Sequence, residues 1–401
     1  MRVAYVTALF PYEQGEGFLI EEVRALGSLL ELFVVPVRLQ TREPYHPVEG
    51  AKVLPRPLIA LDIIAGSLIE FLTRPLRSLR SIATVLRADR RPAIRLKNMA
   101  VVPKALWLSR RVRLLRIRHI HAHWAGTSAT MAWLAADVAG VPWSLTAHRW
   151  DIDEGNALAE KLHSATFTRA ISQRGLDQLK RVDNSATLMV IPMGVAIPGV
   201  TANVRETRKL RLFVPANLFR VKGHRYLLRA LALLSEKAVV ESCDLAGSGP
   251  ELEDLAKLTR KLDLLGIVHF LGAIAQGEVI RRYQESLVDA VILPSIVTTA
   301  GEQEGVPVAL MEAMAYAVPV IATRTGAISE LVEGAGLLVP PEDAVALSEA
   351  ILSLLSTNSR RELGAKGRDR VCSRFSVSLT SARLAQAIQE ATDRADLSTT
   401  A

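Results

Sequence analysis

The chain has 401 residues, long enough for two domains that each bury a core, and its many aliphatics with few aromatics suit an α/β protein. Two cysteines, Cys243 and Cys372, exclude a disulfide framework and point to a reducing compartment. The net charge of +8 is uneven: residues 71–118 hold fourteen Lys/Arg against Asp89 alone, a local +13, so the remainder is net acidic.

In chain order, "MRVAYVTALFP" reads as a first strand and a turn, without the long apolar core and cleavage site of a signal peptide. The helix-like "GFLIEEVRALGSLL" follows. The most apolar stretch, "PLIALDIIAGSLIEFL" (57–72), is short for a bilayer span and is interrupted by Asp62 and Glu70, so a cytoplasmic protein without a membrane span is expected. A basic helical segment, 57–118, comes next. Leucines interleaved with arginines, as in "RPLRSLRSIATVLR", predict basic amphipathic helices across 71–118. Such helices suit an anionic membrane surface, on the inner face of a membrane, or simply a solvated face. Nucleic acid is not expected as a partner, because Phe71 and Trp107 are the only aromatics there for base stacking.

Apolar strand-like runs alternate with amphipathic stretches along most of the chain, the pattern of a parallel sheet covered by helices. A second fresh start, "RLFVPANLFRVKGHRYLLRALALL" (211–234), divides the chain into domains 1–197 and 207–375 with a linker at 198–206. Residues 376–401 hold a last helix able to cross back to the first domain, and a frayed tail. Twin doubly wound domains imply a central cleft between the carboxyl ends of both sheets, where ligands of open α/β folds sit.

The stretch "EQEGVPVALMEAMAYAVPVIAT" (302–323) sets Glu304 before a helix and Glu312 inside it. Pro307 fits the first helical turn, and free N–H groups at that end suit a phosphate. Gly305 lets backbone approach a ligand closely. Glu312 lies about 7 Å further along the axis. One ligand could use all three features: hydroxyls at Glu304, a diphosphate in the middle and a ribose diol at Glu312, which is the shape of a nucleotide-sugar. The plainer alternative is that Glu304 complements the helix dipole and Glu312 is solvated.

This stretch resembles the Glu-x7-Glu motif of retaining GT-B glycosyltransferases of family 4 (group 1). The resemblance implies that Glu304 contacts donor-sugar hydroxyls, that Glu312 contacts the ribose, and that backbone around Gly305, Val306 and Val308 meets sugar and phosphate. "VPANLFRVKGHRYLLRAL" resembles the family's second phosphate site, which makes Lys222 the diphosphate lysine. The usual Arg of that site is Asn217 here, and Arg220 is placed to substitute for it. "DLAGSGPELEDL", "IVHFLGAI" and "VILPS" match further strand–turn segments, with the nucleobase implied at backbone of Ala273 and Ile274. In the first domain, "HIHAHWAGTSATMAWLAADVAGVPWSLTAHRWDID" (119–153) resembles the bacterial exopolysaccharide, colanic-acid-type subgroup. It implies that His148 binds sugar hydroxyls near donor and acceptor. His121 and His123 share one strand face and read as packed or supporting. Gly15 and Gly17 of "TALFPYEQGEGFLIEE" let a loop reach the donor phosphate.

The implied function is metal-independent, retaining transfer of a sugar from a nucleoside-diphosphate sugar to an acceptor hydroxyl, with no cofactor. The acceptor suggested by the basic segment is a saccharide or lipid-linked saccharide of surface polysaccharide synthesis. The implied mechanism is front-face, the leaving phosphate helping to deprotonate the acceptor; double displacement through Glu304 is the alternative. A sugar-nucleotide epimerase or hydrolase, or a catalytically weak partner subunit suggested by Asn217, are the rival functions.

Overall fold

The apolar runs of the inner strands fold buried on both faces, the environment that lets a parallel strand be continuously hydrophobic. The computed structural model describes residues 1–13 and 15–400, with side chains to 397. It divides into two units: residues 1–193 together with 377–401, and residues 194–376.

Unit 1 carries seven parallel strands: β1 (Arg2–Thr7), β2 (Glu31–Pro36), β3 (Ala51–Val53), β4 (His119–His123), β5 (Trp143–Ala147), β6 (Phe167–Ala170) and β7 (Leu188–Val190). Their order is β3-β2-β1-β4-β5-β6-β7. The order reverses between β1 and β4, so the loops leaving these two strands diverge and open a crevice at their carboxyl ends. Its helices are α1 (Leu19–Leu29), α2 (Leu61–Thr73), α3 (Pro75–Arg87), α4 (Pro92–Ala100), α5 (Val102–Leu114), α6 (Thr127–Ala139), α7 (Arg149–Glu154), α8 (Leu158–Ser164) and α9 (Gln173–Val182).

Unit 2 has six parallel strands: β8 (Leu210–Pro215), β9 (Val240–Ala246), β10 (Val268–Gly272), β11 (Ala290–Leu293), β12 (Val320–Thr323) and β13 (Leu337–Val339). Their order, β10-β9-β8-β11-β12-β13, reverses between β8 and β11. The helices are α10 (His224–Leu234), α11 (Leu252–Lys261), α12 (Gln276–Gln284), α13 (Val308–Ala315), α14 (Ile328–Val332), α15 (Ala344–Ser353) and α16 (Thr357–Arg374).

The last helix, α17 (Val377–Thr400), belongs to unit 1. It buries Leu384 and Ile388, and Thr392 Oγ1 lies 3.3 Å from His119 Nδ1. The segment expected as a linker is fastened to unit 2. The Ala202 N–H donates to the Tyr316 carbonyl (2.8 Å), and the Arg205 guanidinium pairs with Asp289 (2.8 Å).

The basic segment forms α2 to α5, cut apart by Pro75, Pro92 and Pro103 in the first turns of α3, α4 and α5. Not all of its cations face solvent. Lys104 is buried, and its ammonium donates to the carbonyls of Pro36 (2.6 Å), Val37 (3.0 Å) and Arg56 (2.5 Å). Burial lowers its pKa to about 7. The Arg113 guanidinium is spent on the buried Glu70 carboxylate.

Candidate functional site

In unit 2 the residues of interest leave the carboxyl ends of strands at the reversal point. After β8 the chain passes Asn217 and Arg220, both exposed, to a short 3-10 turn that ends at Lys222. Gly223 follows at φ +66°, and a Cβ there would overlap the Pro294 carbonyl. Only glycine lets the loop after β8 close on the loop after β11. That closure sets Lys222 Nζ 2.6 Å from Glu304 Oε1, with both side chains largely buried.

Glu304 is positioned by its backbone as well. Its carbonyl accepts the Ala327 N–H (3.2 Å) and sits where a Cβ on Gly326, at φ +54°, would lie. A Cβ on Gly305 would meet open space, so packing within the chain does not require glycine there. Helix α13 begins at Val308, and Pro307 precedes it with ψ 118°. Pro307 is therefore the capping residue rather than part of the first turn: its extended ψ turns the chain into the helix. Gly305 and Val306 lie half-buried between Glu304 and this helix start.

Glu312 stands in the second turn of α13. Gln276 Nε2, on the first residue of α12, donates to its Oε1 at 2.6 Å. Burial raises the Glu312 pKa to about 7, against the lowering effect of that bond. Ala273 and Ile274 lie between β10 and α12, so Gln276 ties their loop to Glu312. Lys222 and Glu304 thus follow the adjacent strands β8 and β11, and the Gln276–Glu312 bond joins α13 to the loop after β10, which lies beyond β9 in the sheet.

Unit 1 has its own constellation at the β1/β4 reversal. Between Gly15, exposed, and Gly17, half-buried, Glu16 turns inward and accepts the Leu9 N–H (2.9 Å), the Phe10 N–H and the Trp124 indole N–H (2.6 Å). The loop is thereby fixed by its acid. Asp151 accepts the backbone N–H groups of His148 (2.7 Å) and Ala125, which clamps the ends of β5 and β4 together. Burial raises the Asp151 pKa to about 7.

His148 is itself held by a buried chain of polar groups. Arg169 donates to Glu22 (2.8 Å), and the Tyr5 hydroxyl donates to the other Glu22 oxygen (2.6 Å). Burial first, then Glu22, raises the Tyr5 pKa well above its ordinary value, so the phenol keeps its proton. Its oxygen must then accept from His123 Nδ1 (2.7 Å), leaving His123 Nε2 as the acceptor facing His148 Nε2 (2.8 Å). Burial depresses the pKa of both histidines, so the chain fixes neutral His148 with its proton on Nε2. The Trp124 ring packs 4.1 Å from the His148 ring. His121 is packed, bonded to Ser144 Oγ (2.7 Å) and Thr146 Oγ1 (2.9 Å).

Sequence reasoning passed over Glu16, Tyr5, Glu22, Arg169, Asp151 and Gln276 as site residues. One signal was present for Glu22. It stands in the buried stripe Leu19, Glu22, Val23, Leu26, and a charge at a core position of a helix calls for a buried partner.

Residues 201–370 match the family model described as "Glycosyl transferases group 1". Over 184 residues the chain is 33% identical to WcaL of Escherichia coli (strain K12), which is named for glycosyl transfer in colanic acid biosynthesis. That match covers 45% of each chain. The matches span about half the length of such curated relatives. Among solved structures, sucrose-phosphate synthase of Thermosynechococcus elongatus superposes with a TM-score of 0.73 at 18% identity, over 97% of this chain and 99% of that one. Anabaena HepE in complex with UDP-glucose gives 0.65 at 17% identity, over 97% and 100%. At these identities the likeness shows the fold, with two doubly wound units of the GT-B type.

Proposed function

Because residues 201–370 match the group 1 glycosyltransferase family model, we propose that this chain is a retaining, metal-independent glycosyltransferase of surface polysaccharide synthesis. Its donor is a nucleoside-diphosphate sugar and its acceptor is a hydroxyl of a lipid-linked saccharide. The observation that carries this reading is the Lys222–Glu304 pair, 2.6 Å apart at the switch point of unit 2.

A lysine and a carboxylate that neutralise each other can exchange partners when a diphosphate arrives. Lys222 turns to the phosphate oxygens, and Glu304 is left to accept hydrogen bonds from the sugar hydroxyls. The N–H groups opening α13 add positive potential to the same diphosphate. Arg220, exposed on the Lys222 loop, is the available cation where the family's usual Arg is Asn217. Glu312 takes the ribose diol, and backbone at Ala273 and Ile274 takes the base. In unit 1, neutral His148 binds a sugar hydroxyl and the Gly15–Gly17 loop approaches phosphate.

In the reaction the bond from the anomeric carbon to the diphosphate oxygen breaks. The acceptor oxygen bonds to that carbon on the same face, and its proton passes to the departing phosphate. Lys222 stabilises the charge that grows on the leaving group, the largest contribution such a site can make.

The test is nucleotide release from a panel of nucleoside-diphosphate sugars without divalent metal, with and without membrane lipid extract. One donor should be turned over, faster with extract, and Glu304→Gln should lower the rate by about a hundredfold or more. No release from any donor in the presence of extract would overturn the reading.

A further inference from the structure

Helices α2 and α3 are inverted in polarity. The side of α2 turned to the body of unit 1 carries Ile63, Gly66 and the Glu70 carboxylate, and that of α3 carries Ser78, Ser81 and Val85. Most of the large aliphatics face outward instead: Leu61, Ile64, Leu68, Ile69 and Leu72 on α2, then Leu76 and Leu79 on α3. Leu61 is 87% exposed and Leu76 is 82% exposed. The α2 set recurs at helical spacing, so it forms one ridge rather than scattered side chains. A water-facing helix would show the reverse arrangement.

The exposed charges of α3 itself are arginines, two of which, Arg77 and Arg80, also share a hollow with Asp137, Glu160 and Asp183. Arg77, Arg80, Arg87 and Arg90 are exposed beside it. The three acids of residues 61–118 are each matched by an arginine: Asp62 with Arg56 (2.5 Å), Glu70 with Arg113 and Asp89 with Arg91 (2.6 Å). Among the described residues no helix is long and apolar enough to cross a membrane.

We propose that α2 and α3 lie in the surface of an anionic phospholipid bilayer, the ridge entering the acyl boundary and the arginines meeting lipid phosphates. Charge complementarity selects this occupant over a second copy of the chain, whose identical arginines would repel. The proposal deepens the reading above, since it brings unit 1 to the surface where a lipid-linked acceptor is held. Its basis is more specific than net charge, because the apolar ridge is required as well as the cations.

The experiment is co-sedimentation of the full chain with phosphatidylglycerol–phosphatidylcholine vesicles and with phosphatidylcholine alone. The variants are Leu68→Gln/Leu72→Gln and Arg77→Glu/Arg80→Glu, whose exposed positions leave the fold intact, as melting temperature will check. The unmodified chain should bind the anionic vesicles, and each double variant should bind about tenfold more weakly or worse. Salt should weaken the binding, and ridge loss should be felt even at low salt. Absence of binding to anionic vesicles, or undiminished binding by the ridge variant, overturns the proposal. So does a ridge variant that turns a dimer into a monomer in sedimentation velocity, which would make a second copy the occupant. No step of this assay needs a sugar donor, so its failure is separate from failure of the transferase reading, which nucleotide release tests on its own.

Discussion

Glu312 is a carboxylate whose surroundings oppose its charge, and that has a measurable consequence. Its pKa, raised by burial to about 7, means that the folded protein holds the proton more tightly than the unfolded chain. Stability contributed by this group is therefore lost as pH climbs from the ordinary carboxylate range to about 7, and is constant above it. Ligand binding runs the opposite way. The ribose diol proposed for Glu312 donates hydrogen bonds and so favours the ionised form, and on that reading nucleotide affinity is expected to fall below pH 7 by at most about tenfold per unit. Calorimetry of the donor's nucleoside diphosphate in buffers of different ionisation heat should detect proton release at pH 6. Glu312→Gln should remove that part of the release which the phosphate's own titration does not explain; an unchanged profile would take Glu312 out of the nucleotide site. Both carboxylates were legible in the sequence because they sit on one local stretch, where spacing alone sets geometry. The chain from Arg169 through Glu22, Tyr5 and His123 to His148 was not. Its members come from three strands, a helix and the residue that follows a fourth strand, and only the sheet order and register, such as Tyr5 beside His121, bring them together. Lys222 stood out in the sequence as a candidate for phosphate, whereas its pairing with Glu304 depends on Gly223 and Pro294, which come from two separate loops.

Among the elements, the turn from β12 into α14 controls Glu304 from outside its own loop. Gly326 sits at φ +54° against the Glu304 carbonyl, so any side chain there must displace either the turn or that loop. Gly326→Ala is expected to cost about 1–3 kcal/mol of stability and to lower turnover beyond what that loss explains, because the Lys222 pairing is disturbed. Thermal melts and nucleotide release measured on the same preparation separate the two effects; normal turnover would show that the carbonyl position does not matter. Elements were the most legible level for the strands, since a parallel strand buried on both faces announces itself as a continuous apolar run. They were least legible for α2. Its sequence reads as an apolar stretch short for a bilayer span and interrupted by Asp62 and Glu70, and the placement of Gly66 against the Trp107 ring shows which face turns inward.

At the scale of the whole molecule, two parallel sheets with reversed strand order place the loops that bear Lys222, Glu304 and His148 after the carboxyl ends of strands, which the alternation of runs foretold in kind. The membership of α17 was open in the sequence, because its amphipathic pattern fits a site on either unit. Its apolar side chains Leu384 and Ile388 lie fully buried in unit 1. Removing residues 377–401 should destabilise unit 1 by roughly 3–6 kcal/mol from these two side chains alone, with unit 2 affected far less. Limited proteolysis should then degrade residues 1–193 while a fragment near 194–376 persists; equal survival of both would contradict the assignment.

The return of α17 to unit 1 also orders events during translation. Unit 2 lies between the two pieces of unit 1 in the chain, so its residues emerge from the ribosome and can complete their sheet before α17 has been made. Until then the nascent unit 1 exposes the apolar seat that Leu384 and Ile388 later fill. The domain synthesised first is thus the last to be finished, and its interval of vulnerability to chaperones and proteases is set by the time taken to translate unit 2.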